Sequence, residues 1–289
     1  MDQALLNEEQ SRSLAISFIQ KLAEEFANEF TKEGLANLLK SLECFLYDPL
    51  YPEVWRETYE GVFGQSFIPE TLLTKEEVFT NLIEFCVRFI YDWGIDLSET
   101  VRVLFKIRFY RESCFLELNR YREFLNNVPV QQKRASPTPI SVFKTADVKP
   151  SISIHQNNQN RYLGYARVLI PLYLDRLWHD RKSYFSDEGF DEFTDYISIL
   201  TSDSAFEGQL EDVYPTVFGK TYSSDDKIST DGIFTLMIHH CAYFAFGFQF
   251  GCRELLNYLF LIRHKPQHYQ YENEIWTEEL NKLVFKYDH

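Results

Sequence analysis

A chain of 289 residues with 45 % apolar and 17 % aromatic side chains can bury a substantial core and is too apolar to be disordered over most of its length. Only 11 Gly and 10 Pro leave few turn signals, which argues against a β-sandwich or barrel. A formal net charge of −14 repels phosphate backbones, so no nucleic acid is expected among the partners.

The first ten residues, MDQALLNEEQ, carry no signal-peptide pattern. Apolar residues then recur at helical steps, and the first half of the chain reads as helices over about 11–30, 33–47, 51–62, 75–94 and 97–124. In the fourth, Phe79, Ile83, Cys86, Ile90 and Trp93 fall three or four apart on one stripe. Thr74 and Glu77 are spaced as a capping box at its start, and Asp96 and Glu99 read the same way for the next helix. Thr31 and Ser186 stand where a hydroxyl caps a helix that opens on Glu33-Gly34 and Glu188-Gly189.

Residues 125–160 break the pattern. They are rich in Pro, Ser, Asn and Gln and carry net charge +3 between bodies of −9 (1–124) and −8 (161–289). That composition predicts a flexible linker. Within it, Ser136-Pro137 and Thr138-Pro139 beside Lys133-Arg134 make Ser136 and Thr138 candidate regulatory phosphorylation sites.

The second half gives helices over about 161–184, 188–201, 206–218, 230–248 and 250–263, with an extra C-terminal helix near 274–286. Pro171 should kink the first of these or mark its true start. The two halves are related. Val62-Phe63-Gly64 recurs as Val217-Phe218-Gly219, and 217 − 62 = 155. Holding that offset without gaps, 12–108 against 167–263 yields 21 identities in 97 columns, where chance gives roughly 6. The expected fold is therefore all-α: two tandem homologous domains of about five helices, 1–124 and 161–289, joined by 125–160.

Catalytic and metal-binding patterns are not found. There is no Glu-x-x-His, Gly-x-Ser-x-Gly, phosphate-binding Gly-rich loop or CxxC. The five cysteines, an odd number, fit reduced buried thiols. No cofactor and no metal are expected, and a cytoplasmic or nuclear location follows from the same features.

Gly232–Cys252 holds 21 residues without Asp, Glu, Lys or Arg, long enough to span a bilayer. The aligned stretch of the first half carries Glu77, Glu84, Arg88, Asp92 and Asp96, so a buried central helix is favoured over a membrane span. Function should sit where the copies diverge. The sharpest divergences are Glu84/His239, Phe85/His240, Arg88/Tyr243, Asp92/Gly247 and Asp96/Gly251. This makes His239, His240, Tyr243, Gly247 and Gly251 interface candidates. The expected function is a non-enzymatic adaptor or scaffold that binds protein partners, including basic or amphipathic-helical segments or a second copy of itself. The alternatives are a helical enzyme or small-molecule binder with an aromatic pocket in the second domain, and a membrane-associated protein acting through 232–252.

Overall fold

The computed structural model describes residues 5–109, 161–202, 206–223 and 226–287. Ser136, Thr138, Cys114 and the whole of 125–160 lie outside the described residues. Eleven α-helices are present among the described ones: α1 (Glu8–Glu25), α2 (Lys32–Tyr47), α3 (Tyr51–Phe63), α4 (Lys75–Asp92), α5 (Ser98–Phe109), α6 (Leu163–Asp180), α7 (Asp187–Ser202), α8 (Phe206–Phe218), α9 (Thr230–Ala242), α10 (Arg253–His264) and α11 (Gln270–Tyr287). The only strands described, Arg161–Tyr162 and Lys227–Ile228, pair antiparallel for two residues. The chain is all-α. Its contacts divide into two compact units, Met1–Glu60 with Ser66–Pro150 and Gly61–Gln65 with Ser151–His289.

In the first unit α1 begins earlier than the apolar stripe suggests. Asn7 accepts a hydrogen bond from the Gln10 amide and Gln10 Oε1 accepts one from the Asn7 amide, each at 3.0 Å. This capping box satisfies two amides at the helix start, three residues before the stripe is legible. The Thr74–Glu77 box on α4 forms as spaced, with Glu77 N donating to Thr74 Oγ1 at 3.2 Å and Thr74 N donating to Glu77 Oε2 at 2.8 Å. The Asp96–Glu99 box does not form. Asp96 accepts from Ser98 N at 2.9 Å, while Glu99 reaches the start of α2 and accepts from Thr31 N and Thr31 Oγ1 at 2.8 and 2.6 Å. Those bonds hold the Glu99 carboxyl below its usual pKa.

Helix α4 is the axis of this unit. Every residue from Val78 to Phe89 is buried, so it is covered on all sides rather than along one stripe. Phe18 of α1 meets Phe79 edge-on at 5.3 Å, Phe45 of α2 meets Phe85 at 5.1 Å, and Trp55 of α3 meets Phe85 at 5.8 Å. Each such ring, fully buried, is worth about 2–3 kcal/mol of transfer free energy. Glu84 and Arg88 are buried with them. Arg88 is satisfied by Glu57 at 3.1 Å, Asp92 at 3.2 Å, Thr58 Oγ1 at 3.1 Å and the Val54 carbonyl at 3.4 Å.

In the second unit α9 takes the axial place, with Thr230–Ala242 buried throughout and burial continuing to Phe246. It packs against α6, α8 and α10. Residues Tyr243–Gly247 extend it as a π-turn, so the helix expected over 230–248 ends in a wider coil, and the next begins at Arg253. Pro171 neither starts nor ends a helix: α6 runs from Leu163 through it. The C-terminal helix α11 is longer than its sequence pattern and rests on α6, where Trp276 meets Tyr173 at 4.9 Å.

The two series of helices begin at a constant interval. Glu8 and Leu163, Lys32 and Asp187, Tyr51 and Phe206, Lys75 and Thr230, Ser98 and Arg253 are all 155 apart (163 − 8 = 155). So are the bonds. Glu254 accepts from Ser186 N at 2.9 Å and Ser186 Oγ at 2.5 Å, as Glu99 does from Thr31. Arg263 donates to Thr235 Oγ1 at 2.9 Å, as Arg108 does to Thr80 Oγ1 at the same distance. Gly94 and Gln249, 155 apart, both sit at positive φ, +64° and +55°.

The carboxylates of Glu99 and Glu254 lie against Gly34 and Gly189, where a Cβ would overlap them. Gly189→Ala should therefore break the Ser186–Glu254 contact and lower stability by about 1–3 kcal/mol. Gly164→Ala, in the first turn of α6 with no atom of the described residues near the added methyl, should raise it by about 0.5–1 kcal/mol. Urea unfolding of the two variants checks this; equal shifts would contradict it.

Candidate functional site

The five divergent positions come together at the end of α9, but mostly inside the unit. His239 and His240 are fully buried and Tyr243 is 5 % exposed. Gly247 closes the π-turn and is half-buried, as is Gly251. Gly251 admits a close approach: a Cβ there would overlap the Glu192 carboxylate of α7. Burial, with Glu188 and Glu254 nearby, raises the Glu192 pKa.

His240 makes the clearest polar contact. Its Nδ1 shares a hydrogen bond of 2.7 Å with the Tyr196 hydroxyl, and its ring lies 5.2 Å from Phe206 and 5.1 Å from Phe244. Burial pushes its pKa down to about 3, so the imidazole is neutral at physiological pH. Burial also pushes the Tyr196 hydroxyl up. Two neutral partners shielded from water form a structural contact; neither can exchange a proton with a solute it does not meet. The position 155 residues earlier holds Phe85, with Phe45, Tyr51 and Phe89 at 5.1–5.3 Å.

The positions 155 residues after Arg88, Thr58 and Asp92 are Tyr243, Val213 and Gly247, and Val213 and Tyr243 are buried. A buried guanidinium is stable only with its acceptors.

Among the described residues no group of three His, Cys, Asp or Glu could hold a metal ion. No described helix is long and apolar enough to cross a membrane; the charge-free stretch 232–252 is divided between α9, the π-turn and the following turn. An open concavity of about 840 Å³ runs along the outer face of α11, lined by Asn273, Thr277, Glu278, Asn281 and Phe285 among others. It is shallow and open, its exposed lining is mostly apolar, and among the described residues no convergent groups would orient a substrate there.

The helix pair at the start of each unit offers a different kind of site, away from α4 and α9. In the second unit Trp178 of α6 stacks on Phe190 of α7 (5.4 Å, 14° between planes) and its Nε1 donates to Thr194 at 2.8 Å. Lys182 lies over the same Phe190 ring at 4.7 Å. The positions 155 residues earlier are Ala23, Leu35, Leu39 and Ala27. Here Leu39 and Leu46 are 47 % and 41 % exposed, with Leu42 half-buried between them and Leu35 half-buried one turn before. The signal is present in the sequence as a 4-3-4 leucine spacing and as the Ala23/Trp178 column.

No family model, no curated protein and no solved structure matches the chain.

Protonation of His240 gives a pH test of this core. Its folded pKa of about 3 lies below the ordinary 6.5, so the unfolded chain binds the extra proton first. Its contribution to stability is fully present above pH 6.5 and is lost as pH falls from 6.5 towards 3. His240→Phe combined with Tyr196→Phe, which leaves no orphaned hydroxyl, should flatten that part of the stability–pH curve. An unchanged slope would show that His240 is not the titrating group.

Proposed function

We propose that the chain is a non-enzymatic adaptor or scaffold made of two copies of one helical domain, residues 1–124 and 161–289, joined by the basic segment 125–160. The duplication reading is supported by 21 identities at one offset, by the constant interval of the helix starts, and by paired Glu–Thr/Ser and Arg–Thr bonds at matching positions. The same frame used twice with different surfaces suits a bivalent protein, because linking two weak sites raises affinity without new contacts.

The observation that carries the binding role is where large apolar side chains stand. Leu5, Leu39, Leu46, Ile68 and Leu72 are 41–52 % exposed in the first unit, and Phe285 is 75 % exposed in the second. Single exposed residues are ordinary, but leucines repeated along one helix form an apolar surface of the kind that partners cover. Protein partners with basic or amphipathic-helical segments suit an acidic chain.

The test uses the full chain as bait in its native source. Leu39→Lys with Leu72→Lys in the first unit, and Leu172→Lys with Phe285→Lys in the second, should each lose a different partner while the melting temperature holds. The adaptor reading fails if neither pair changes what co-purifies, or if a small metabolite and no protein stabilises the purified chain.

A further inference from the structure

The geometry points to the leucine stripe of α2 as the docking site for one amphipathic helix of a partner protein, bearing basic side chains along the edges of its apolar face. This inference rests on the adaptor reading and adds the location and the ligand class.

Leu35, Leu39, Leu42 and Leu46 follow the 4-3-4 spacing of a helix–helix seam. The inner face of α2, with Gly34, Leu38, Ser41 and Phe45, is already buried in the unit. The leucine stripe is therefore a second apolar face on the same helix, turned by about a quarter of a revolution from the first. A helix with only structural duties needs one such face.

The second unit shows what closes this surface. Trp178 covers Phe190, its indole bonds to Thr194, and the positions matching Leu42 and Leu46 are Ile197, 8 % exposed, and Thr201, whose hydroxyl donates to the Ile197 carbonyl at 2.8 Å. In the first unit the Trp is Ala23, and leucine stands at all four stripe positions. The substitutions act in one direction: they remove the cover, remove the hydroxyls and leave a smooth apolar strip beside a small residue on α1. Anchors on an incoming helix at i, i+3/i+4 and i+7 match such a strip.

Charge selects the occupant. Residues 5–109 hold 10 Lys and Arg against 18 Asp and Glu, net −8. A second copy of the chain would bring the same excess of negative charge to the seam, whereas a helix edged with Lys or Arg gains from it.

The experiment measures binding of the full chain to a labelled peptide of about three heptads, with leucine at the seam positions and lysine at the flanking ones. Controls are the same peptide with glutamate for lysine and one with the leucines scrambled off the seam. The basic peptide should bind, and both controls should bind about tenfold more weakly or worse. Leu39→Asn with Leu46→Asn should weaken binding by about tenfold or more, and Ala23→Trp, which supplies the cover found in the second unit, should do the same. All are surface changes, so the melting temperature should hold; Thr194→Asn is the matching control in the second unit and should leave binding unchanged. The inference is overturned if the peptide binds the stripe variants as well as the parent chain, if no peptide binds, or if the variants instead abolish a concentration-dependent dimer of the parent chain. Partner capture that survives the stripe variants but not the others would overturn this site and leave the adaptor reading standing.

Discussion

Burial of one helix on every side governs each unit. A helix of about eighteen residues presents four or five turns, and covering all of them takes a ring of neighbours that a single helical hairpin cannot supply. In the first unit α4 is covered by α1, α2, α3 and α5; in the second, α9 with its π-turn is covered by α6, α7, α8 and α10, and α11 adds Trp276 against Phe234 at 5.3 Å. Other features follow from that demand. Polar residues on the axis must find partners inside, as Arg88 does with Glu57, Asp92 and Thr58, or be neutral, as His240 is beside Tyr196. The outer helices are then free to vary on the faces they do not bury.

Two solutions to the same axial problem stand side by side. The first unit keeps charge within its core and satisfies it with four acceptors on α3 and α4; the second has Tyr243, Val213 and Gly247 at the matching interval, and Tyr243 meets Phe248 edge-on at 5.1 Å. Breaking a buried ion pair by removing one partner is costly, while exchanging the whole set for apolar groups need not be. On the proposed duplication, this explains why the most conspicuous sequence divergences lie on the axis without marking a surface: they are one linked repacking. The cover of α7 by Trp178, with Ala23 standing at the matching position beside α2, is a quieter change that alters what the outside of the molecule offers.

Much of the helix plan is legible in the sequence. The starts of α2, α4 and α7 are written in Thr31, Thr74 and Ser186, whose hydroxyls accept amide hydrogen bonds as spacing suggests. What is not legible involves partners distant in sequence. Glu99 sits where a local capping box would use it, yet the amide and hydroxyl of Thr31, 68 residues away, take it instead. Asn7 caps α1 ahead of the apolar stripe that marks the helix. The π-turn after Ala242 has no pattern of its own, since a wider coil needs no special residue. At the candidate site, His239, His240 and Tyr243 were readable as unusual residues, but only packing places them in the interior. The exposed leucines, by contrast, read as ordinary core until the cover over their counterparts is seen.

Hydrogen exchange on the native full chain tests the axial account most directly. Amides of Val78–Phe89 and of Ile233–Phe246 should be the slowest to exchange, opening only when their own unit unfolds, because neither segment has a face from which water can enter. Slowest exchange in α11 or α2 instead, with α4 or α9 opening at low cost, would contradict the claim that each unit is built around its buried central helix.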